Sequence, residues 1–362
     1  MKTPTMKTAL ALCAVCSLSA LTLGCEKKEA PHTDDSASDA GSKQANKVAN
    51  DEPDLAAAVE SVSAAKALGG GAAGGPPPNG IFGPGEADKA AAKGSAAQFT
   101  LGSDGAEPRV TLGAAPKPGT KRSGSIDLAT QSDPQQGAIP IQFTLSLEAS
   151  KPKAEGDAGA TLTQMSVKIT GAKINAPGVP ADLSAAVGKL KGAHVDYQIG
   201  ADGAASNVHL EIPKGVDPGF RDPVQALSDL FVGLAMPFPS KPIGLGAYWM
   251  VTTRDVLMGL DVVTYRLVKV EKIEGTEVSL SVNTKRYAAS PAFELEGLPP
   301  DAPKIMGEFR SQAEGKLTMN AGEALPKSAE IQSLIGAALG PAESKQRAMV
   351  QVQTRAGLTL NP

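Results

Sequence analysis

The stretch Ile139–Leu147, with the sequence IPIQFTLSL, decides the fold class of this 362-residue chain. Large apolar side chains stand at every second position, and most residues between them are polar. Because successive side chains of a β-strand point to opposite faces, a period of two is typical of a strand with one buried face. Met165–Ile169 repeats the pattern, so the stretch predicts a half-buried antiparallel sheet.

A run of long strands is predicted in the second half of the chain. Gly259 and Glu274-Gly275 supply turns between the first three of them. The predicted strands are Tyr248–Val256, Leu260–Ile273, Thr276–Tyr287, Phe309–Met319, Ala329–Ile335 and Ala348–Leu360. Strands that follow one another through short turns predict a meander.

A β-hairpin is predicted around Asp202-Gly203, because this dipeptide is a strong signal for a two-residue turn. That turn sets the register of the two flanking strands. It places His194 opposite Glu211 and Asp196 opposite His209 on the polar face, and it places Val195 opposite Leu210 and Tyr197 opposite Val208 on the apolar face.

Two helices interrupt the predicted strands. The longer one runs from Asp222 to about Ala235, with Pro223 at its first position and a broad apolar face. A short one contains Leu183 and Val187. The pattern therefore predicts an α+β fold that is predominantly antiparallel β: a long meandering curved sheet or partial barrel, with one or two amphipathic helices packed on its concave side.

The N-terminus has the features of an export signal, predicted over residues 1–24. Lys2 and Lys7 precede an apolar run that is too short to span a bilayer. The run ends in Leu-Thr-Leu-Gly24-Cys25, which resembles the lipobox of bacterial lipoproteins, with cleavage after Gly24 and lipid on Cys25. The alternative is an ordinary cleaved signal in which Cys25 is incidental.

Lipidation of Cys25 implies a membrane partner and a location. Acyl chains on this cysteine would anchor the protein stably. Glu26 is not the aspartate that retains such lipoproteins in the inner membrane, so the resemblance implies the outer membrane, facing the periplasm. All three cysteines lie within the first 25 residues, so no disulfide is predicted in the body.

Residues 25–106 are predicted to be the lipidated cysteine followed by a disordered acidic, Gly- and Pro-rich tether, and residues 107–362 a single β-rich periplasmic domain. The tether lacks a sustained apolar pattern. Two apolar islands, Ile81-Phe82 and Phe99-Thr100-Leu101, are exceptions, and docking of these islands onto the body is an open alternative.

The order of the predicted elements carries a resemblance. A hairpin, an amphipathic helix, the segment Pro237–Trp249 and a late strand with Gly315, Leu317 and Met319 follow one another. In this the chain resembles a family of exported bacterial lipoproteins that is known only as a domain of unknown function. The resemblance implies no activity, catalytic residue or cofactor.

Composition narrows the function classes. The formal net charge is −3, and residues 107–362 contain equal numbers of acidic and basic residues, so nucleic acid is not a predicted partner. The sequence contains neither H-E-x-x-H nor G-x-S-x-G, and it offers two histidines in the body. We therefore predict a non-enzymatic protein without a cofactor. A hydrolase is the less favoured third class.

One cluster has residue types that bind metals. The predicted hairpin register brings His194, Asp196, His209 and Glu211 onto one face, where two imidazoles and two carboxylates could bind zinc. The favoured interpretation is an exposed cross-strand charge ladder, in which each pair contributes ~0.2–1 kcal/mol. No metal is predicted.

Two functions remain for an envelope lipoprotein of this kind. The first is a tethered domain with a protein-interaction or structural role, its protein partner unknown. The alternative is a carrier of lipid or another hydrophobic ligand, by analogy with curved sheets that pack a helix. Phe231, Leu234, Tyr248 and Trp249 are the candidate ligand face, and the two functions differ in whether these side chains fill the concave face or leave a void.

Overall fold

A computed structural model of the chain describes residues 77–113, 115–132, 137–151, 162–257, 259–292, 305–340 and 347–361. All of them belong to one compact unit, Glu52–Pro362. The predicted signal peptide, the cleavage site at Gly24, the lipidated Cys25 and residues 26–76 of the predicted tether lie outside the described residues. Among the described residues, no helix is both long enough and apolar enough to span a membrane.

Fourteen strands and three α-helices make up the described fold. The strands are β1 (Gln98–Ser103), β2 (Ala106–Val110), β3 (Lys121–Gln131), β4 (Ile139–Ser150), β5 (Thr163–Ile174), β6 (His194–Ile199), β7 (Ala205–Glu211), β8 (Ile243–Leu245), β9 (Tyr248–Leu257), β10 (Leu260–Glu274), β11 (Glu277–Ala288), β12 (Ile305–Asn320), β13 (Ser328–Gly340) and β14 (Ala348–Asn361). The helices are α1 (Glu86–Ala90), α2 (Ala181–Gly188) and α3 (Arg221–Leu234).

Twelve of the strands form one antiparallel sheet in the order β1-β9-β10-β11-β12-β13-β14-β3-β4-β5-β6-β7. Two meanders, β3 to β7 and β9 to β14, are joined where β14 pairs with β3. Strands β1 and β7 are the two edges of this sheet, so the sheet is not closed by strand pairing. Strands β2 and β8 form a separate two-stranded sheet. The predicted β-rich fold with a long meandering sheet is confirmed.

The sheet curls strongly. Strands β9 and β7 are ten positions apart in the sheet, which is ~48 Å for a flat sheet at ~4.8 Å per strand. Residues of both strands nevertheless line one cleft. The segment after α3 bridges the remaining gap: the Phe238 backbone N–H donates to the Asp202 carbonyl next to β7 (2.9 Å), and the Phe238 ring lies 6.3 Å from that of Trp249 on β9.

The main core lies on the concave face, where α3 packs. Strand β4 shows why: Ile141, Phe143, Leu145 and Leu147 are at most 5% exposed, and the residues between them are intermediate or exposed. Ile139 departs from the prediction, because it begins the strand and is 52% exposed. The apolar stripe of α3 completes this core with Val224, Leu227, Phe231 and Leu234.

The convex face is covered locally by the segment that contains α1. Phe82, Ala87, Ala90 and Ala91 pack against β9, β10 and β11 there. The rings of Phe82 and Tyr287 meet edge-on with centroids 5.8 Å apart. As a result β10 is buried on both faces over its central part, which is why Val262–Val268 reads as a nearly continuous run of buried residues.

Residues 77–106 of the predicted tether are part of the folded body. Ile81 is 7% exposed and forms a bridge to Ala288, and Phe99 and Leu101 pair with β9 as part of β1. These are the two apolar islands, and their burial or pairing provides the free energy that holds the segment. The folded body therefore begins before residue 107.

The predicted hairpin pairing is correct for the residues away from the turn and wrong at the turn itself. Val195 lies opposite Leu210, Asp196 opposite His209 and His194 opposite Glu211, as predicted. A bulge then shifts the register, so that Gln198 pairs with Ser206 and Tyr197 does not pair with Val208. Gly203 has a positive φ of 87° but Asp202 does not, and Asn207 takes the second positive φ, of 51°. The loop is therefore longer than two residues, and the bulge restores the pairing.

Candidate functional site: a cleft between helix α3 and the sheet

A cleft of about 1370 Å³ lies between α3 and the concave face of the sheet. Its floor is formed by β3 and by β9 to β14, and its wall by α3 and β7. On α3 the lining side chains include Ala226, Leu230 and Leu234, one turn apart along a single stripe. The helix thus packs one end of the concave face and leaves the other end open to a ligand.

One row of the floor is apolar. Across neighbouring strands the residues lie directly opposite one another in the hydrogen-bonded ladder. The row consists of Leu128, Ala356, Ile331, Gly315 and Val282, from β3 to β11. It spans four strand spacings, which is ~19 Å. Gly315 has no side chain and so leaves space above the middle of the row. A Cβ at this position would meet the Ile331 side chain at 3.3 Å.

The adjacent row is mostly polar. Because strand side chains repeat every two residues, it lies two positions along each strand from the apolar row. It consists of Thr130, Thr354, Ser333, Ala313, Thr284 and Arg266. A polar row on the inward face of a sheet is unusual, because inward residues normally build the core. The cleft therefore offers apolar contact and hydrogen-bond donors side by side.

Two arginines and two aspartates meet at the β9–β11 end of the cleft. Arg266 is 8% exposed, and its guanidinium lies 3.6 Å from an Asp255 carboxylate oxygen. Arg286 is partly exposed, lines the cleft, and donates to the Ser311 hydroxyl at 3.3 Å. Asp229 projects from α3 and accepts a hydrogen bond of 2.8 Å from Gln225.

The pKa values of two of these groups are shifted by the cleft. The pKa of Arg286 is lowered to about 10, mainly by burial and then by the neighbouring Arg266 charge, while Asp255 and Asp229 act in the opposite direction. Burial raises the pKa of the Asp229 carboxyl to about 6, against the effects of the Gln225 hydrogen bond and of Arg286. Both shifts indicate a site that is poor in water and disfavours charge.

Asp229→Asn should stabilise the protein at neutral pH. The folded-state pKa of Asp229, about 6, lies above the ordinary value of 3.8, so protonation favours the folded state. Stability is therefore lost as pH rises from about 4 to about 6, and the cost persists above that range. Asparagine keeps an acceptor for Gln225 and removes the charge. We expect the free energy of unfolding to rise by ~1–3 kcal/mol at pH 7.5 and to change little at pH 4.

Urea unfolding at the two pH values measures this effect. Glu330→Gln, which changes an exposed carboxylate on β13, is the matched control. Equal pH dependence in Asp229→Asn and the unmodified chain would contradict the interpretation.

The candidate ligand face predicted from sequence does not form the cleft as a unit. Phe231, Leu234 and Trp249 are at most 2% exposed and fill the core, with the Trp249 indole N–H donating to the Pro237 carbonyl at 3.2 Å. Of the four, Leu234 lines the cleft. Tyr248 points to the convex face, against Gly102. Phe231, Leu234 and Trp249 fill one end of the concave face, and the void lies beside them.

The histidine cluster lies on the hairpin face, away from the cleft. The His194 Nε2 atom is 3.4 Å from Glu211, its predicted cross-strand partner, and 3.7 Å from Asp196 on its own strand. His209 is exposed on the neighbouring strand. Within the described part of the chain, no group of three or more His, Cys, Asp or Glu residues has the arrangement of a metal site.

Arg266 and Arg286 are the site residues that sequence reasoning missed. A signal for them exists in the strand phase. Arg266 occupies the same phase as Val268 and Val270, and Arg286 the same phase as Val282, so both are charged residues at inward positions. The alternation along a strand shows that the arginines point inward, but it does not show how far across the sheet they lie from helix α3.

Comparisons with known proteins place the chain in no family. No protein-family model and no curated protein matches it, so the resemblance to exported bacterial lipoproteins stays a prediction. A solved structure of lipovitellin, described as showing lipid–protein interactions, is similar over 68% of this chain and 25% of its own length, at 13% identity and a TM-score of 0.42. The chain thus spans about a quarter of that protein. A likeness at this level is too weak to indicate a shared fold or function.

Proposed function

We propose that this protein binds a lipid or another elongated hydrophobic ligand in the cleft under α3. The observation that carries the proposal is the cleft itself: about 1370 Å³, with an apolar row across five strands. Sites for drug-sized molecules measure ~300–1,000 Å³, so this cleft is large enough for a longer ligand. A lipid chain spans about half of a ~30 Å hydrocarbon core, ~15 Å, which the ~19 Å apolar row accommodates.

Binding rather than catalysis is part of the proposal. The ionisable residues that line the cleft are Asp229, Asp255, Arg266, Arg286 and the exposed Glu314. Arginine and paired carboxylates hold ligands well, but nucleophilic catalysis needs an activated nucleophile beside a base. Both body histidines lie on the hairpin, outside the lining of the cleft. With Cys25 lipidated, the proposed role is that of a membrane-anchored lipid carrier facing the periplasm.

Blocking the apolar row should strongly reduce ligand binding. Thr354 lines the cleft from β14, so Thr354→Trp places a large ring over the neighbouring Ala356 and Ser333. The full chain carrying Cys25→Ser, to remove the predicted lipid attachment, is purified from a bacterial periplasm without detergent. Native mass spectrometry and organic extraction then detect bound lipid. We expect a stoichiometric lipid adduct, reduced about tenfold or more by Thr354→Trp.

Gln353→Trp is the matched control for this experiment. Gln353 neighbours Thr354 on the same strand but is exposed on the opposite face, so the variant adds the same ring outside the cleft. It should retain the adduct. A ligand-free mass for the unmodified chain, or equal loss in both variants, would contradict the proposal.

The protein-interaction role is the second candidate function. The observation that favours it is the edge strand β7, whose outer side is unpaired in the described sheet and which exposes Val208 to 43%. An unpaired edge is a template for another strand. Cross-linking in intact cells distinguishes the two functions, because a ligand-free protein with a reproducible partner at β7 supports this role and not the carrier.

A further inference from the structure

We infer that the ligand is an anionic amphiphile, whose carboxylate or phosphate group binds between Arg266 and Arg286 and whose chain lies along the apolar row. The inference rests on the proposed function and specifies the chemistry of the ligand. It combines three observations: the placement of the two arginines, their incomplete neutralisation, and the position of the apolar row relative to them.

The two arginines face the same space from neighbouring strands. Thr264 lies opposite Arg286 across the β10–β11 ladder, and Arg266 lies two residues further along β10. The arginines are thus a diagonal cross-strand pair, with Cα atoms ~7–8 Å apart in such geometry. Side chains as long as arginine converge over that distance. An anion with two or three oxygens can accept hydrogen bonds from both guanidinium groups at once.

Existing contacts satisfy little of either guanidinium. Each arginine has five N–H donors. Arg266 has a contact of 3.5 Å to the Thr253 hydroxyl and the 3.6 Å ion pair to Asp255. Arg286 has the 3.3 Å bond to Ser311, and among the described residues no carboxylate lies within 4.0 Å of its nitrogens. These distances are long for charge-assisted hydrogen bonds, which are ~2.7–2.9 Å.

An orphaned hydroxyl lies in the same place. The Thr264 side chain is fully buried in the floor of the cleft beside Arg286, and its Oγ1 has no hydrogen-bond partner among the described residues. A buried polar group without a partner costs ~1–3 kcal/mol. A bound anion relieves the repulsion between the two guanidinium groups, and the unsatisfied hydroxyl lies directly beside them.

The two aspartates of the cleft do not occupy the position between Arg266 and Arg286. The Asp255 carboxylate is held by the Thr253 hydroxyl at 2.6 Å, on the β9 side of Arg266. Asp229 reaches down from α3 and is held by Gln225. Neither carboxylate is within hydrogen-bond distance of Arg286, so the position between the two guanidinium groups is not taken by a protein anion in the described residues.

The apolar row begins diagonally next to Arg266, because Arg266 lies opposite Thr284 and Val282 is the next residue on that face of β11. Val282 precedes Arg286 by four residues on β11 and lies on the same face, and from there the row leads across β12, β13 and β14 to Leu128 on β3. The apolar residues Ala226 and Leu230 of α3 cover it from above. A ligand with its charged end at Arg286 therefore places its chain under the helix.

Ligands that share one chain and differ in the head group test the inference. Hexadecanoic acid, hexadecyl phosphate and hexadecan-1-ol compete with a neutral polarity-sensitive dye for the Cys25→Ser full chain. We expect the acid or the phosphate to bind ~10- to 100-fold more tightly than the alcohol, the range for charge-assisted hydrogen bonds. Arg266→Gln and Arg286→Gln should each remove most of this preference.

Control variants and outcomes separate the inference from the proposed function. Lys285→Gln removes a positive charge next to Arg286 on β11 but on the convex face, and it should retain the preference. Equal binding of acid, phosphate and alcohol overturns the inference and leaves the lipid-binding function standing. Binding of none of the three overturns both. If inorganic phosphate or acetate binds as tightly as the chain-bearing anions, the site binds free anions. This result also overturns the inference that the ligand is an amphiphile.

Discussion

Trp249→Ala should lower the free energy of unfolding by ~3–5 kcal/mol, the range for removing a large buried aromatic side chain. Trp249 is fully buried in the main core, and its ring packs at 6.3 Å from that of Phe238. The indole also satisfies the Pro237 carbonyl. The substitution removes the contacts between the sheet and the segment after α3. These contacts stabilise the curled form of the sheet.

Equilibrium unfolding in urea, followed by far-UV circular dichroism, measures this loss. Trp249→Phe is the graded control, since it keeps a ring against Phe238 and removes the indole N–H, and it should cost clearly less. Because Trp249 does not line the cleft, ligand affinity of the folded variant should be unchanged at a temperature where it stays folded. A loss below ~1 kcal/mol for the alanine variant would show that other contacts stabilise the curled form.

Arg254→Met should release the N-terminal segment from the sheet and cost ~2–4 kcal/mol. The Arg254 side chain is 7% exposed and binds both Asp261 oxygens, at 2.5 and 3.0 Å. It also donates to the Ala91 carbonyl at 3.1 Å and lies 3.5 Å from Asp88. One side chain on β9 therefore ties the middle of α1 and the residue after its C-terminal end to the sheet. Methionine keeps the apolar volume and leaves Asp261 without its partner.

The ion pair also sets the acid sensitivity of this segment. The hydrogen bond from Arg254 lowers the pKa of the Asp261 carboxyl below its ordinary value of 3.8. Its contribution is therefore present above pH ~4 and is lost as pH falls through the lowered value. Hydrogen exchange of residues 81–103 at pH 7 reports the release. Arg310→Met, which removes an exposed arginine paired with Glu308, is the matched control and should cost ~1 kcal/mol or less. Unchanged protection in Arg254→Met would contradict the docking role.

Local patterning predicted the elements of this fold well. The predicted strands Leu260–Ile273 and Thr276–Tyr287 are observed as Leu260–Glu274 and Glu277–Ala288, and the predicted helix from Asp222 to about Ala235 is observed as Arg221–Leu234. Alternation and capping are local, so one stretch of sequence contains the whole signal. The hairpin pairs away from the turn were predicted correctly for the same reason.

Pairing over long distances was beyond such reasoning. A period of two shows that Leu128 and Ala356 each point inward, but nothing in either strand shows that they lie side by side. The cleft depends on these pairings, since its floor joins strands from both halves of the chain. The docking of residues 77–106 depended in the same way on partner surfaces, the convex face of β9 to β11 and the edge of β9. For this reason the sequence could suggest a concave face near α3 and not the arginines that lie on it.

The seam between β14 and β3 has a consequence for biosynthesis. β14 is the last described strand to leave the ribosome, yet it occupies a central position in the sheet and joins the two meanders. Pairing it with β3 closes a loop of more than 200 residues, which is slow and must precede a complete floor. Until then, each meander has an unpaired edge strand facing the other. A nascent chain therefore stays without its finished sheet until β14 has been synthesised.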